Sequence, residues 1–406
     1  MTTTASTPGR RVASPRGLDV VVVEALRTPI GRRRGAFSTV HPADLLGSVY
    51  RSVLDRTGLD PSRVDQLVAG CVTNVGEQSF DVARTAWLSA GLPYSVAGTT
   101  VDAHCGSSLQ ALSFAAGLIA TGAAETVLAA GVESMSRVPL GTDTDNGPGK
   151  ALPKSYFSQY EFTTQFEAAE RMADKWGITR AEADAYGLRS QQRAARAWDE
   201  GRFERELIPI EASVVDEQGR PTGATTSVTR DEGLRPTSLE QLATLRPVAR
   251  PDGVHTAGTC SQISDGAAAL LLMSRDRARE LGYRPRARIA AHTLVGVDPV
   301  LMLTGPIDAT FAVLSQAGMV PADVDVFEIN EAFASVVLAW EREVGADVER
   351  VNPNGGAIAL GHPVGCTGAR LATTALYELE RTDGTVAVLT LCGAAGIAPA
   401  MLLERL

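Results

Sequence analysis

Short apolar runs bounded by turn residues recur in both halves of the chain. "LDVVVVEA" (18–25), "VDQLVAGCV" (64–72), "GTTVDAHC" (98–105) and "TVLAAGVES" (126–134) stand in the first half. "RARIAAHTLVG" (286–296), "VDVFEINEAF" (324–333), "ERVNPNGGA" (349–357) and "GTVAVLTLCGAAG" (384–396) stand in the second. Their lengths fit buried strands. Between them the apolar period changes: Leu109, Leu112, Ala116 and Ile119 share one helical face, as do Leu371, Ala375, Leu376 and Leu379. Strands alternating with helices predict an α/β layered fold.

The two sets of runs repeat each other. "VDQLVAGCV" answers to "VDVFEINEAF", "TTVDAHCGSS" to "ERVNPNGGAIALGHPVG", and "ETVLAAGVESMS" to "GTVAVLTLCGAAG". A duplicated unit with pseudo-twofold symmetry would bring equivalent turns to one crevice, where strand C-terminal ends meet helix N-termini. Residues 135–252 fall outside the repeat. They are polar, with a helical stretch over 162–200 and Pro/Gly-containing connections, and read as an insertion capping the crevice. The expected organisation is a flexible tail (1–17), a first domain (18–134 and 253–284) interrupted by the cap (135–252), and a second domain (285–406).

Composition narrows the class. A chain of 406 residues with 44% apolar content can fill two cores. Its net charge of −9 argues against nucleic acid as a partner. No run approaches the roughly 18 apolar residues of a membrane span, and "MTTTASTPGRRVASPRG" lacks the apolar centre of a secretory signal, so a cytoplasmic protein without a membrane partner is expected. Cys71, Cys105, Cys260, Cys366 and Cys392 form no close pair and no CxxC. That spacing disfavours a disulfide framework or a zinc site, and no metal is expected.

Cys105, in "TTVDAHCGSSLQAL", sits where a predicted strand gives way to a predicted helix. Lowering a thiol pKa by two units takes about 3 kcal/mol, more than an exposed helix end supplies. By itself Cys105 is either buried filler or a nucleophile in need of a base. "NGGAIALGHPVGCTGAR" (354–370) offers His362 amid five glycines, without the GK[ST] of a phosphate loop. Standing alone, it reads equally as a glycine-rich turn with a buried histidine. "LTLCGAAGIA" (389–398) puts Cys392 at a strand end, followed by small residues that leave backbone N–H groups open to an oxyanion. "EINEAFAS" (328–335) adds Asn330 and Glu331 at another strand end.

With these stretches in this order, the chain resembles the thiolase family over residues 18–406. "CGSSLQA", "TAGTCSQISDGAAA", "NEAFA", "NGGAIALGHPVGCTGAR" and "CGAAG" carry the resemblance. It implies the thiolase fold, a duplicated layered α-β-α-β-α unit with an inserted cap. "GCVTNVGEQS", "QFEAAERMADKWGITR", "HTAGTCSQISDGAAA" and "NEAFASVVLAWER" are most similar to the steroid 3-ketoacyl-CoA thiolases. The implied reaction is CoA-dependent cleavage of a 3-ketoacyl-CoA, with coenzyme A as co-substrate and no permanently bound cofactor. The resemblance makes Cys105 the nucleophile, His362 its base and Cys392 the second acid and base. Asn330 holds a water, and the N–H groups of Cys105 and Ala394 form an oxyanion site. It places Ser261, Gln165, Phe166 and Phe333 on the substrate and pantetheine side, and Arg235 or Arg246 towards the nucleotide. It also implies a homodimer or homotetramer, with the strand bearing Cys105 near the contact.

The chain departs from the family at several of these places. Ser108 stands where glycine is usual. Ala394 and Ala395 replace glycines, so activity is expected only if both adopt ordinary backbone angles. Gln165 and Phe166 replace the Met-Gly of short-chain members, and Ala249 replaces a phenylalanine of the CoA-binding stretch. These changes leave room for a condensing enzyme or an inactive acyl-CoA-binding protein as alternatives, and for a redox role of Cys105. Glu331 is expected to be a structural hydrogen bonder, and His104, as a strand neighbour, to point away from the cleft.

Overall fold

The computed structural model describes residues 19–145 and 148–406; the tail expected over 1–17 lies outside the described residues. In chain order the strands are β1 (Val20–Arg27), β2 (Gly31–Arg32), β3 (Gln66–Gly70), β4 (Ala97–Val101), β5 (Thr126–Ser134), β6 (Ile210–Val215), β7 (Pro221–Val228), β8 (Ser264–Ser274), β9 (Ala287–Gly296), β10 (Val326–Ile329), β11 (Val386–Thr390) and β12 (Ile397–Arg405). The large sheet runs β10-β11-β12-β9-β1-β8-β5-β3-β4, with β2 alongside β8, while β6 and β7 pair only with each other.

This order is the same arrangement twice. β3 lies parallel to β4 and β5, β5 antiparallel to β8, and β8 antiparallel to β1. In the second half β10 lies parallel to β11 and to a bridge at Val351, β11 antiparallel to β12, and β12 antiparallel to β9. The halves join where β1 and β9 pair at Val21–Arg288 and Val22–Ala287. Even the edge detail recurs. Asp65 accepts the N–H groups of Glu125 and Thr126 at 2.7 and 2.9 Å, and Asp325 those of Thr385 and Val386 at 2.7 and 3.0 Å.

The inner faces of both half-sheets enclose two central helices, Ser107–Ala120 and Thr367–Thr382, in one continuous core containing Leu109, Leu112, Leu371, Ala375, Leu376, Leu270 and Leu403. Outer helices cover the other faces: Pro42–Thr57 and Val82–Ser89 on the first half, Gly305–Ala317 and Ala334–Val344 on the second. The order is helix, sheet, helices, sheet, helix. The central helices begin against each other and against the sheet where side chains are missing. A Cβ on Gly70 would lie 2.3 Å from Ser108 N, one on Gly131 2.4 Å from Gly365 O, and one on Gly368 2.4 Å from Leu109 N.

Several predicted runs differ from the observed elements. The 98–105 run ends its strand at Val101, and residues 102–106 form a tight turn. The 349–357 run is not a strand beyond Val351. Asn352 there is left-handed (φ 45°), and its side chain bonds the N–H and carbonyl of Ile329, replacing the backbone pairing a strand would supply. β8 and β12, outside the predicted runs, are rich in Ala and Leu, residues without strand preference, and are strands because each is paired on both sides. The helical stretch over 162–200 is two helices, Gln165–Trp176 and Arg180–Asp199, each opened by a threonine side chain at its N-cap. Residues 135–252 add no strand to the large sheet, and buried Arg27 ties them down through Glu206 at 2.6 Å and Asp231 at 2.7 Å.

Overpacking at a helix crossing costs about 1–3 kcal/mol. Gly368→Ala is expected to lower the thermal midpoint accordingly in a differential scanning experiment. An unchanged midpoint would show that the two helices can separate freely.

Candidate active site

Cys105 ends the turn between β4 and the first central helix. Asp102 accepts the N–H of His104 (2.8 Å), and the carbonyls of Ala103 and His104 accept the N–H groups of Gly106 and Ser107. His104 is left-handed at φ 50°, so it is a turn residue rather than the strand neighbour expected from the alternation of side chains. The turn delivers Cys105 into a buried apolar patch with Val72, Met135 and Val364, the last from the second half.

Burial pushes the Cys105 thiol up to about 12, while its own N–H and that of Ala394 pull in the opposite direction. Cys392, just after β11, is raised by burial and then by charge on Cys105. His362 lies in the loop before the second central helix. Ser264 Oγ and Gln262 O accept its N–H, Nε2 lies 3.3 Å from Asn330 Nδ2, and Nδ1 lies 2.6 Å from Thr367 Oγ1. Burial, then the positive charge of Arg370, pushes the imidazole down to about 3. Both shifts favour the neutral forms, the thiol of Cys105 and the imidazole of His362.

Asn330, buried at the end of β10, donates its N–H to Thr390 O at 3.0 Å. Its neighbour Glu331 is structural: the carboxylate accepts from Tyr186 Oη, Ser190 Oγ, Asn352 Nδ2 and the N–H of Ile358, fastening the Arg180–Asp199 helix to this loop. Ser108 is also accounted for. Its hydroxyl accepts the N–H of Ala369 at 2.9 Å, satisfying a free donor at the start of the other central helix.

The loop after Cys392 overturns one expectation. Ala395 does not adopt an ordinary backbone angle; it sits at φ 62°, ψ 12°. A left-handed alanine costs about 1–2 kcal/mol, an amount the surrounding β11–β12 connection can hold.

The residues expected on the substrate side fall into two groups. Phe166 packs edge-on against Phe333 with ring centres 5.4 Å apart, Gln165 begins the same helix as Phe166, and Ser261 donates its N–H to Ala332 O. Arg235 lines a separate cavity of about 200 Å³ with Thr237, Gln241, Leu245 and Gly258, its guanidinium donating to Ala257 O. Arg246 is exposed and not part of that lining. Among the described residues, no group of three or more His, Cys, Asp or Glu side chains is arranged to hold a metal, and no helix is long and apolar enough to cross a membrane.

Sequence reasoning missed Glu133 and His255. Glu133, in the buried strand β5, accepts the N–H groups of Val72, Thr73 and Gly365 and the side-chain amide of Gln78, tying loops of both halves together. A charged residue inside an otherwise apolar run was the available signal, because a buried carboxylate requires partners. His255 stacks edge-on against Phe333 at 5.5 Å and contacts Glu170 at 3.2 Å; no local pattern marks that meeting.

The family descriptions "Thiolase, N-terminal domain" and "Thiolase, C-terminal domain" match residues 20–276 and 283–405. The chain is 45% identical to the steroid 3-ketoacyl-CoA thiolase FadA6 of Mycobacterium tuberculosis, over 96% of this chain and 94% of that protein. It is 41% identical to a 3-ketoacyl-CoA thiolase of Bacillus subtilis, covering 93% of this chain and 98% of that one. The crystal structure of the Bacillus anthracis acetyl-CoA acetyltransferase superposes with a TM-score of 0.88 at 36% identity, covering 97% of this chain and all of that one.

Two outcomes follow from the site. Ala395→Gly should stabilise the protein by about 1 kcal/mol, read as a raised melting temperature, because glycine adopts the left-handed angle without strain. Alkylation of resting Cys105 by iodoacetamide should keep rising with pH through about pH 9, since the thiol is held protonated; a plateau below neutrality would mean a preformed thiolate.

Proposed function

This chain belongs to the thiolase family and is an acyltransferase, and on that premise we propose that it cleaves 3-ketoacyl-CoA with CoA through an acyl group on Cys105. His362 Nε2 takes the Cys105 proton as Sγ attacks the 3-keto carbon. The C2–C3 bond breaks, its electron pair passes to C2, and the Cys392 thiol protonates that carbon to release acetyl-CoA. The Cys392 thiolate then takes the proton of an incoming CoA thiol. The CoA sulfur attacks the acyl carbonyl, and departing Cys105 recovers its proton from His362. Every proton and electron pair is returned, so the cycle needs no external oxidant or reductant.

One observation carries this reading: the turn bearing Cys105 and the loop after Cys392, from opposite halves, meet so closely that a Cβ on Gly393 would lie 3.5 Å from Ala103 O, with the Ala394 N–H and Cys392 both acting on the Cys105 sulfur. Donors so placed can stabilise a negative oxygen built on the carbon that this sulfur attacks. The neutral resting pair fits such chemistry, because the charged thiolate need form only as its proton moves and the carbonyl receives it.

For the acyl group we infer a bulky, apolar chain of the steroid side-chain kind. Phe157, Tyr160, Phe162 and Phe166 leave a large aromatic surface exposed along the inserted section, and Phe166 leads directly to Phe333. The similarity to the mycobacterial steroid thiolase supports the same reading. For assembly we infer a homodimer formed along β4. That strand is a sheet edge with partly exposed residues, and Phe80 (93% exposed) and Tyr94 (84%) stand on the segments leading to it.

Incubation with a 3-ketoacyl-CoA should add the shortened acyl mass to intact protein, and Cys105→Ala should abolish the adduct. A panel from acetoacetyl-CoA to steroid side-chain CoA esters should favour the bulky members; a preference for acetoacetyl-CoA would refute the acyl assignment. Phe80→Asp should convert a dimer to a monomer in light scattering.

A further inference from the structure

Each central helix opens on a hydroxyl at the corresponding place in the repeat. Ser107 and Thr367 are the first helical residues, and each donates back into the turn that precedes it. Ser107 Oγ donates to His104 O at 2.5 Å, and Thr367 Oγ1 to Pro363 O at 2.9 Å. A hydroxyl has one proton. With that proton committed, any further partner must donate to the oxygen. For Ser107 this partner is the N–H of Ala103 at 3.0 Å, which closes the turn that carries Cys105. For Thr367 it is His362 Nδ1, at 2.6 Å.

We propose that Thr367 is a positioning residue that holds His362 in the tautomer protonated on Nδ1, leaving Nε2 unprotonated, an acceptor that can take the proton of Cys105. The opposite side of the ring agrees: Asn330 presents its amide nitrogen to Nε2 at 3.3 Å, a donor that requires an acceptor there. Both Thr367 and His362 are buried, so water does not readily replace the hydroxyl. Without it, the Nδ1–H would be left unpaired, and the tautomer with a proton on Nε2, which cannot act as a base at that nitrogen, would gain population. Duplication placed one hydroxyl at the head of each central helix. In the first half it shapes the turn of the thiol, and in the second it sets the proton of the imidazole.

This inference rests on the reading of His362 as the base. The test compares Thr367→Val, which keeps shape and loses the hydroxyl, with Thr367→Ser, which keeps the hydroxyl. The expected result is a fall of about 10- to 100-fold in kcat for the valine variant, with KM for CoA changing much less and serine restoring most of the rate. Nitrogen-15 NMR of His362 in the resting wild type should show a protonated Nδ1 and bare Nε2 between about pH 6 and 9, and loss of that preference in Thr367→Val. A wild-type proton on Nε2 overturns the proposal, as does an equal loss of rate in both variants accompanied by lower melting temperatures. Should the valine variant fail to fold, the wild-type spectrum decides alone. A correct tautomer in a protein whose Cys105 never takes an acyl group would instead fault the proposed reaction and leave the tautomer standing.

Discussion

The structure depends on how closely two helices begin. Ser107–Ala120 and Thr367–Thr382 start within backbone contact of each other and of the sheet, an approach that Gly70, Gly131 and Gly368 permit by having no side chain. Cys105 lies two residues before the first helix and His362 five before the second. The positions of both segments are therefore tied to helix packing, which is stiff because close-packed interiors resist deformation. Ser108 contributes to the same crossing by accepting a helix-start N–H, so this serine takes part in joining the two halves.

The same region buries several charges, and two of them tie loops in place. Glu133 gathers four donors from both halves, and Glu331 gathers four from the inserted section and the segment around 352–358. Glu328, two residues before Asn330, is pushed up to about 8 by burial, with Arg370 opposing that shift. Replacing such groups with apolar ones would often be tolerated for stability, so their value here is in fixing geometry. Their electrostatic effect on Cys105 and His362 runs the same way as burial: Glu133 raises the Cys105 thiol, and Arg370 lowers the His362 imidazole. Both groups are thereby held in their neutral forms.

Two local rules are broken where loops converge on Cys105. His104 and Ala395 take left-handed angles on either side of the same sulfur, one in the turn before Cys105 and one following the Ala394 donor. Strain of about 1–3 kcal/mol at such positions persists only when the surroundings fix the backbone more firmly than the residue resists it. Paired strands and buried helix ends supply that firmness.

The chain by itself determined its layered α/β class, its duplication and the residue types at the turns, because buried strands, amphipathic helices and repeated motifs are properties of neighbouring positions. The motifs around Cys105, Asn330, His362 and Cys392 were legible for that reason. Tertiary structure alone decided that the 349–357 run would yield its strand to an asparagine side chain, and that Ala- and Leu-rich segments would become β8 and β12. It alone decided that Ser108 would serve a distant helix, that Glu133 would join two halves, and that Thr367 would meet an imidazole nitrogen. Those outcomes depend on hydrogen-bond donors and acceptors far apart in the chain, and their pairing exists only once packing has brought them together.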